Sequence, residues 1–118
     1  MPEIKCDSFI QLENKRKIKV INESKDYDAF DLICYIEYID KNDNDILSET
    51  SMIPILERNS SNNINLKTVS LPQRTPQDGR PSRKMFVESQ TKKLKVTITY
   101  QNKYGSRMST SPKYWDYN

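Results

Sequence analysis

Apolar residues recur at every second position in one segment of the chain after another. In "AFDLICYIEYID", residues 29–40, Phe30, Leu32, Cys34, Ile36 and Tyr38 alternate with Asp31, Ile33, Tyr35 and Glu37. A helix would need apolar residues three and four apart with strong helix formers between them. This run is β-branched and aromatic, and it predicts a strand. In "KLKVTITY", residues 93–100, Leu94, Val96, Ile98 and Tyr100 oppose Lys93, Lys95, Thr97 and Thr99. "KRKIKVIN", residues 15–22, sets Ile18 and Val20 against Lys17 and Lys19, the pattern of a strand with one wet face. Near the start, Ile4, Cys6, Ile10 and Leu12 share one parity, and Phe9 falls outside it.

Polar turns separate these runs. "DKNDND", "ERNSSNN" and "QNKYG" are rich in residues that accept turn geometry, and Gly105 supplies a positive φ. "SMIPIL" resumes the alternation with Pro54 inside it, which predicts an edge or short strand. In "INLKTVSL" the parity shifts between Ile64 with Leu66 and Val69 with Leu71, which predicts a bulge or bend. Residues 72–84 hold three of the six prolines and one of the two glycines and read as a long loop. "MFVES" follows as a short strand, and "SRMSTSPKYW" as the last one. No ten-residue stretch shows helical spacing. The expected fold is all-β: about seven antiparallel strands in a sandwich covering residues 1–118 as one domain, with Ile36, Val96 and Ile98 central. Scarce glycine weighs against a tight barrel.

Composition changes this picture little. A mean hydropathy of −0.86 and 30% charged residues would suit a disordered chain, but the 35% apolar residues are patterned, and the pattern decides. The net charge of +3 is too small to imply nucleic acid by itself. It is unevenly placed: residues 1–50 carry −5 and residues 51–118 carry +8. No apolar run is long enough to cross a bilayer, and "MPEIKCDSF" lacks the form of a signal peptide. Cys6 and Cys34 match no metal or redox spacing and read as reduced, apolar side chains, which favours a cytoplasmic location.

Histidine is absent, and with it the commonest general base and every Ser-His or Cys-His arrangement. A phosphate-cradling glycine loop is missing as well. The expectation is a non-enzymatic protein without cofactor or metal. "DKNDND" presents oxygens at alternate positions, but an EF-hand needs Gly where Asp45 stands and Glu where Ser51 stands, so a polar hairpin explains it better. Arg74, Arg80, Arg83 and Lys84, followed by Lys92 and Lys93, form a basic stretch suited to an anionic ligand, an acidic protein or a membrane face. Interleaved aromatics are missing there, which makes nucleic acid a poor fit. Tyr104, Trp115 and Tyr117 gather near the C-terminus as candidate contact aromatics; the competing reading packs Tyr114 or Trp115 inward and leaves part of the tail exposed.

With strands placed in this order, "KIKVINES", "DAFDLICYIEYID", "MIPILERN", "LKTVSL" and "LKVTITYQNKYGSRMSTSPKYW" resemble an immunoglobulin-like soluble domain. The nearest likeness is the cytoplasmic β-sandwich of bacterial inward-rectifier-type two-transmembrane ion channels, from Lys17 to Trp115. The start, "PEIKCDSF" with "IKVINES" and "AFDL", is similar to bacterial adhesion-type immunoglobulin-like modules. The channel resemblance implies a domain that assembles with copies of itself beneath a pore; no ligand residue of that family matches a position here. The expected function is a binding or assembly domain at the cytoplasmic face of a membrane, its partner a protein or a second copy. The alternatives are an extracellular adhesion module and a ligand-binding barrel with Tyr38, Tyr100 and Thr68 around an interior void.

Overall fold

The alternating segments pair into two antiparallel sheets. The structure, a computed structural model, describes residues 1–12, 15–69 and 83–117. The first sheet is β1 (Ile4–Leu12), β2 (Lys15–Asn22) and β5 (Ser60–Asn65), in the order β1-β2-β5. The second is built on β3 (Ala29–Asp40), which lies between β4 (Asp45–Leu56) and β6 (Thr91–Gln101). Two short strands, β7 (Arg107–Ser109) and β8 (Lys113–Asp116), both pair with β6. Between them the chain stays attached: the Thr110 N–H donates to the Ile98 carbonyl at 2.8 Å, and the Ile98 N–H donates to Thr110 Oγ1 at 3.2 Å.

The inward parity of each strand meets in one core. Ile4, Ile18, Val20 and Ile64 come from the first sheet; Leu32, Cys34, Ile36, Tyr38, Leu94, Val96, Ile98 and Tyr100 come from the second. All are buried, including the three residues expected at the centre. Complete burial of one large apolar side chain contributes roughly 1.5–3 kcal/mol, so the shared core holds the two sheets together.

The structure departs from the sequence reading at several places, among them the last strand, expected as one over "SRMSTSPKYW" and found as β7 and β8. Asp7 is an extra residue in β1, where the register passes from Cys6↔Val20 to Ser8↔Lys19. This bulge reverses the parity beyond it, so Phe9 packs on the core while Leu12 is exposed. Strand β5 starts inside the "ERNSSNN" run; only its beginning turns, with Asn59 at φ 57°, and pairing with β2 overrides the weak strand propensity of Asn and Ser. Residues 83–90 form the helix α1 (Arg83–Gln90), where a loop end and a strand were expected. Its one buried apolar residue, Val87, reaches the core, and a single inward contact does not need alternation. Residues 66–69 lie beyond the end of β5, with Leu66 and Val69 both buried.

Three polar clusters fasten the layers. Asn22 is buried with its amide fully used: Nδ2 donates to the carbonyls of Tyr27 (2.9 Å) and Leu56 (3.1 Å), and Oδ1 accepts from the N–H groups of Glu3 and Ser24. Tyr38 donates its hydroxyl to Glu49, whose other oxygen accepts the Lys67 N–H at 2.8 Å. The Arg16 guanidinium lies 4.3 Å from the centre of the Tyr117 ring and meets Glu88 of α1 at 2.8 Å. Edge strand β4 is guarded against pairing with another chain by Pro54, by the inward carboxylate of Glu49, and by Lys67 Nζ on the Thr50 carbonyl at 3.0 Å. The "DKNDND" hairpin is present: Asp40 Oδ1 accepts from the N–H groups of Asn42 and Asn44. The "QNKYG" turn is too, with Gly105 at φ 80° and Asn102 Oδ1 accepting from Tyr104 and Ser106.

Candidate binding faces

The outward parity of the two sheets makes two surfaces of different chemistry. On the first sheet, Lys15, Lys17 and Lys19 stand in a column along β2, successive ammonium stems rooted about 6.8 Å apart. Register places Asn65 beside Lys17, Asn63 beside Lys19 and Ser61 beside Ile21. On the other side Leu12 faces Lys15, Ile10 faces Lys17 and Ser8 faces Lys19. Among the described residues no carboxylate pairs with the three column lysines. The acidic groups lie at the far end, where Glu23 binds Lys5 at 2.9 Å and, with Asp7, raises its pKa. An open depression of about 460 Å³ lies there, lined by Lys19, Ile21, Asn22, Glu23, Asn59, Ser60 and Ser61.

On the second sheet the outward residues are apolar at one end and carry charges of both signs at the other. Ile33 faces Met52, Phe30 faces Ile55, and Tyr35 follows Ile33 on the same side. The exposures are 69% for Met52, 53% for Ile55 and 42% for Tyr35, while Phe30 and Ile33 are half-buried. Phe30 turns outward because Asp31, at φ 47°, sits in a bulge that shifts the pairing with β6. Thr97 and Thr99 border the patch, and Arg107 donates to Thr99 Oγ1 at 2.8 Å. Further along, Glu37 lies 4.0 Å from Lys95, and Lys93 lies 3.9 Å from Asp43. Burial and then Asp45 hold the Glu37 carboxyl above the usual range.

The basic stretch expected to act as one site lies only in part within the described residues. Arg74 and Arg80 lie outside the described residues, and of Arg83 only its place at the start of α1 is described. Lys84 is half-buried in the first turn of that helix, and Lys92 and Lys93 are exposed at the start of β6. Of the three candidate aromatics, Tyr104 is open to solvent at 77% exposure. Trp115 is half-buried and turned inward, its Nε1–H donating to Cys6 Sγ at 3.3 Å, while Tyr114 faces out, so the packed reading of the tail holds there. Tyr117 is a core residue at 2% exposure, stacked on Phe9 at 5.9 Å and edge-on to Tyr38, because the chain continues along β6, the Tyr117 N–H donating to the Lys92 carbonyl at 2.9 Å, and turns this ring to the same side as Trp115. Of the column residues, Lys17 and Lys19 were visible as a wet strand face, and Lys15 joins them through the pairing of β2. Their isolation from carboxylates became visible only with strand pairing.

Cys34 is buried, which pushes its thiol up to about 12, and burial also raises Cys6. A second depression, about 260 Å³, is lined by Ile4, Lys5, Cys6, Thr110, Ser111 and Lys113. Tyr38 and Tyr100 are packed into the core, while both depressions open on the outside. No protein family, curated protein or solved structure matched the chain. Among the described residues no helix is long and apolar enough to cross a membrane.

Proposed function

We propose that the protein is a non-enzymatic assembly domain with an immunoglobulin-like fold, and that it joins a second copy of itself through the outer face of the larger sheet. The strand order β1-β2-β5 against β4-β3-β6 followed by β7 and β8 supports the immunoglobulin-like reading, since chain neighbours change sheets between β2 and β3, β4 and β5, and β5 and β6. The observation that carries the assembly reading is the contiguous patch of Phe30, Ile33, Tyr35, Met52 and Ile55. Single exposed apolar residues are ordinary on a protein surface, but five in register across two strands remove a continuous apolar area from water when covered.

Electrostatics favours this face over the other for self-association. Glu37 and Asp45 stand beside Lys93 and Lys95, so two copies present both signs to each other. The lysine column would meet only its own charge. A self-assembling domain is also what the channel-like resemblance implies.

Sedimentation velocity over a rising concentration series tests the reading. The wild-type chain is expected to show a monomer–dimer equilibrium that Met52→Asp with Ile55→Asp abolishes. A wild-type protein that sediments as a monomer at every concentration up to its solubility limit rejects it.

A further inference from the structure

The lysine column of β2 lies on the sheet face opposite the proposed assembly surface, and it has a chemistry of its own. Three ammonium groups occupy alternate positions of one strand with no carboxylate partner among the described residues. Beside them, on β1, Ile10 and Leu12 are paired in register with Lys17 and Lys15, and Leu12 is 54% exposed. On β5 the neighbours Asn63 and Asn65 are uncharged hydrogen-bonding groups. We infer that this face, Lys15, Lys17 and Lys19 with Ile10 and Leu12, docks on an anionic lipid bilayer.

Charge complementarity selects an anionic occupant, because three lysines in a row with no carboxylate partner among the described residues repel one another until counter-charge is supplied. The form of the surface selects among anionic occupants. Nucleic-acid binding to single strands relies on aromatic platforms, and none of the outward residues of β1, β2 or β5 is aromatic. The alternation of lysine with aliphatic side chains across one hairpin suits a headgroup layer instead. Lysine stems lie along the apolar boundary with their ammonium groups among the phosphates, while Leu12 and Ile10 leave water for the acyl edge. The acidic groups Asp7 and Glu23 stand at the Lys19 end of the face, Asp7 in the bulge beside Ser8 and Glu23 on Lys5, so the contact centres on Lys15 and Lys17 with Ile10 and Leu12. This inference does not depend on the assembly reading, since the two faces share no residue.

The experiment is flotation of the full chain with vesicles of phosphatidylcholine alone and of phosphatidylcholine mixed with phosphatidylserine, with a single-stranded oligonucleotide as competitor. Binding is expected only to the mixed vesicles and should fall steeply as salt rises. Combined Lys15→Ser, Lys17→Ser and Lys19→Ser should weaken partitioning about 100-fold. The same three positions changed to Arg should retain it, and Leu12→Ser alone should reduce it several-fold. Met52→Asp with Ile55→Asp, which tests the assembly face, should leave monomer partitioning to the vesicles unchanged. Equal binding to neutral vesicles, no binding to either kind, or displacement of the vesicles by the oligonucleotide overturns the inference. Should the serine variant fail to fold, the salt titration and the arginine variant decide the matter by themselves.

Discussion

The outward faces of the two sheets are built by the same rule of alternation and end in different chemistry. On the smaller sheet three outward positions of β2 are lysines, flanked by Asn, Ser and two aliphatic residues, and the carboxylates Asp7 and Glu23 lie only at the Lys19 end. On the larger sheet five apolar residues gather at one end and both signs of charge at the other. A column of lysines excludes its own copy and attracts an opposite surface. A face with paired signs and an apolar centre can meet itself. The difference shows that strand alternation decides only that a face is outward, while the residue types and the register decide what that face can meet.

The largest effect should come from the core both faces share. Ile98→Ala leaves a cavity between the sheets and is expected to cost about 2–5 kcal/mol in denaturant unfolding. Vesicle binding and self-association should then decline together; survival of one in a chain that has lost the other's sheet would break the single-core picture. Asn22→Ala should cost about 1–3 kcal/mol, because two carbonyls and two N–H groups at the end of the smaller sheet lose their partner. Its local signature is faster amide exchange of Glu3 and Ser24, with the β3–β6 amides protected.

Tyr38→Phe removes a buried hydroxyl from Glu49 and should lower stability by about 0.5–1.5 kcal/mol, read from the melting temperature. Burial, and then Glu49, already hold that phenol far above its usual range, so an ultraviolet titration should show no Tyr38 ionisation while the protein is folded. The smallest effect concerns Glu37 on the assembly face. Its folded pKa is raised by burial first and Asp45 second, so its contribution to stability is fully present below the ordinary glutamate value and is lost as pH rises through the raised one. NMR titration should place the Glu37 carboxyl above an ordinary glutamate and move it down in Asp45→Asn; an unmoved midpoint removes Asp45 as a cause.

Much of the scaffold could be read in advance. The strands over 15–22, 29–40 and 93–100, the position of β4 at an edge and the turns at 40–45 and 101–105 follow from local patterns that the structure preserves. Strand β1 was harder, because one inserted residue, Asp7, exchanges inside for outside along everything after it, and nothing in the local composition announces it. The helix α1 escaped notice because its length allows only about two turns, with Val87 as its single buried apolar anchor. Tyr117 looked like surface in a polar tail, and its burial depends on Phe9, Tyr38 and Arg16 from three other strands.

For the candidate faces, Lys17, Lys19, Ile33 and Tyr35 declared themselves as outward by parity. That Ile10 and Leu12 lie beside the lysines, and that Met52 and Ile55 lie beside Ile33 and Phe30, did not. The sequence by itself determined that the chain runs mostly as strands, which residues share a side of the regular ones, and that no histidine chemistry is available. These are properties of neighbouring φ and ψ angles and of side-chain type. Tertiary structure alone decided which strands became neighbours, where bulges exchanged the sides, and hence which charges stayed unpaired. Those outcomes depend on contacts between residues far apart in the chain, chosen by how two sheets bury one common core.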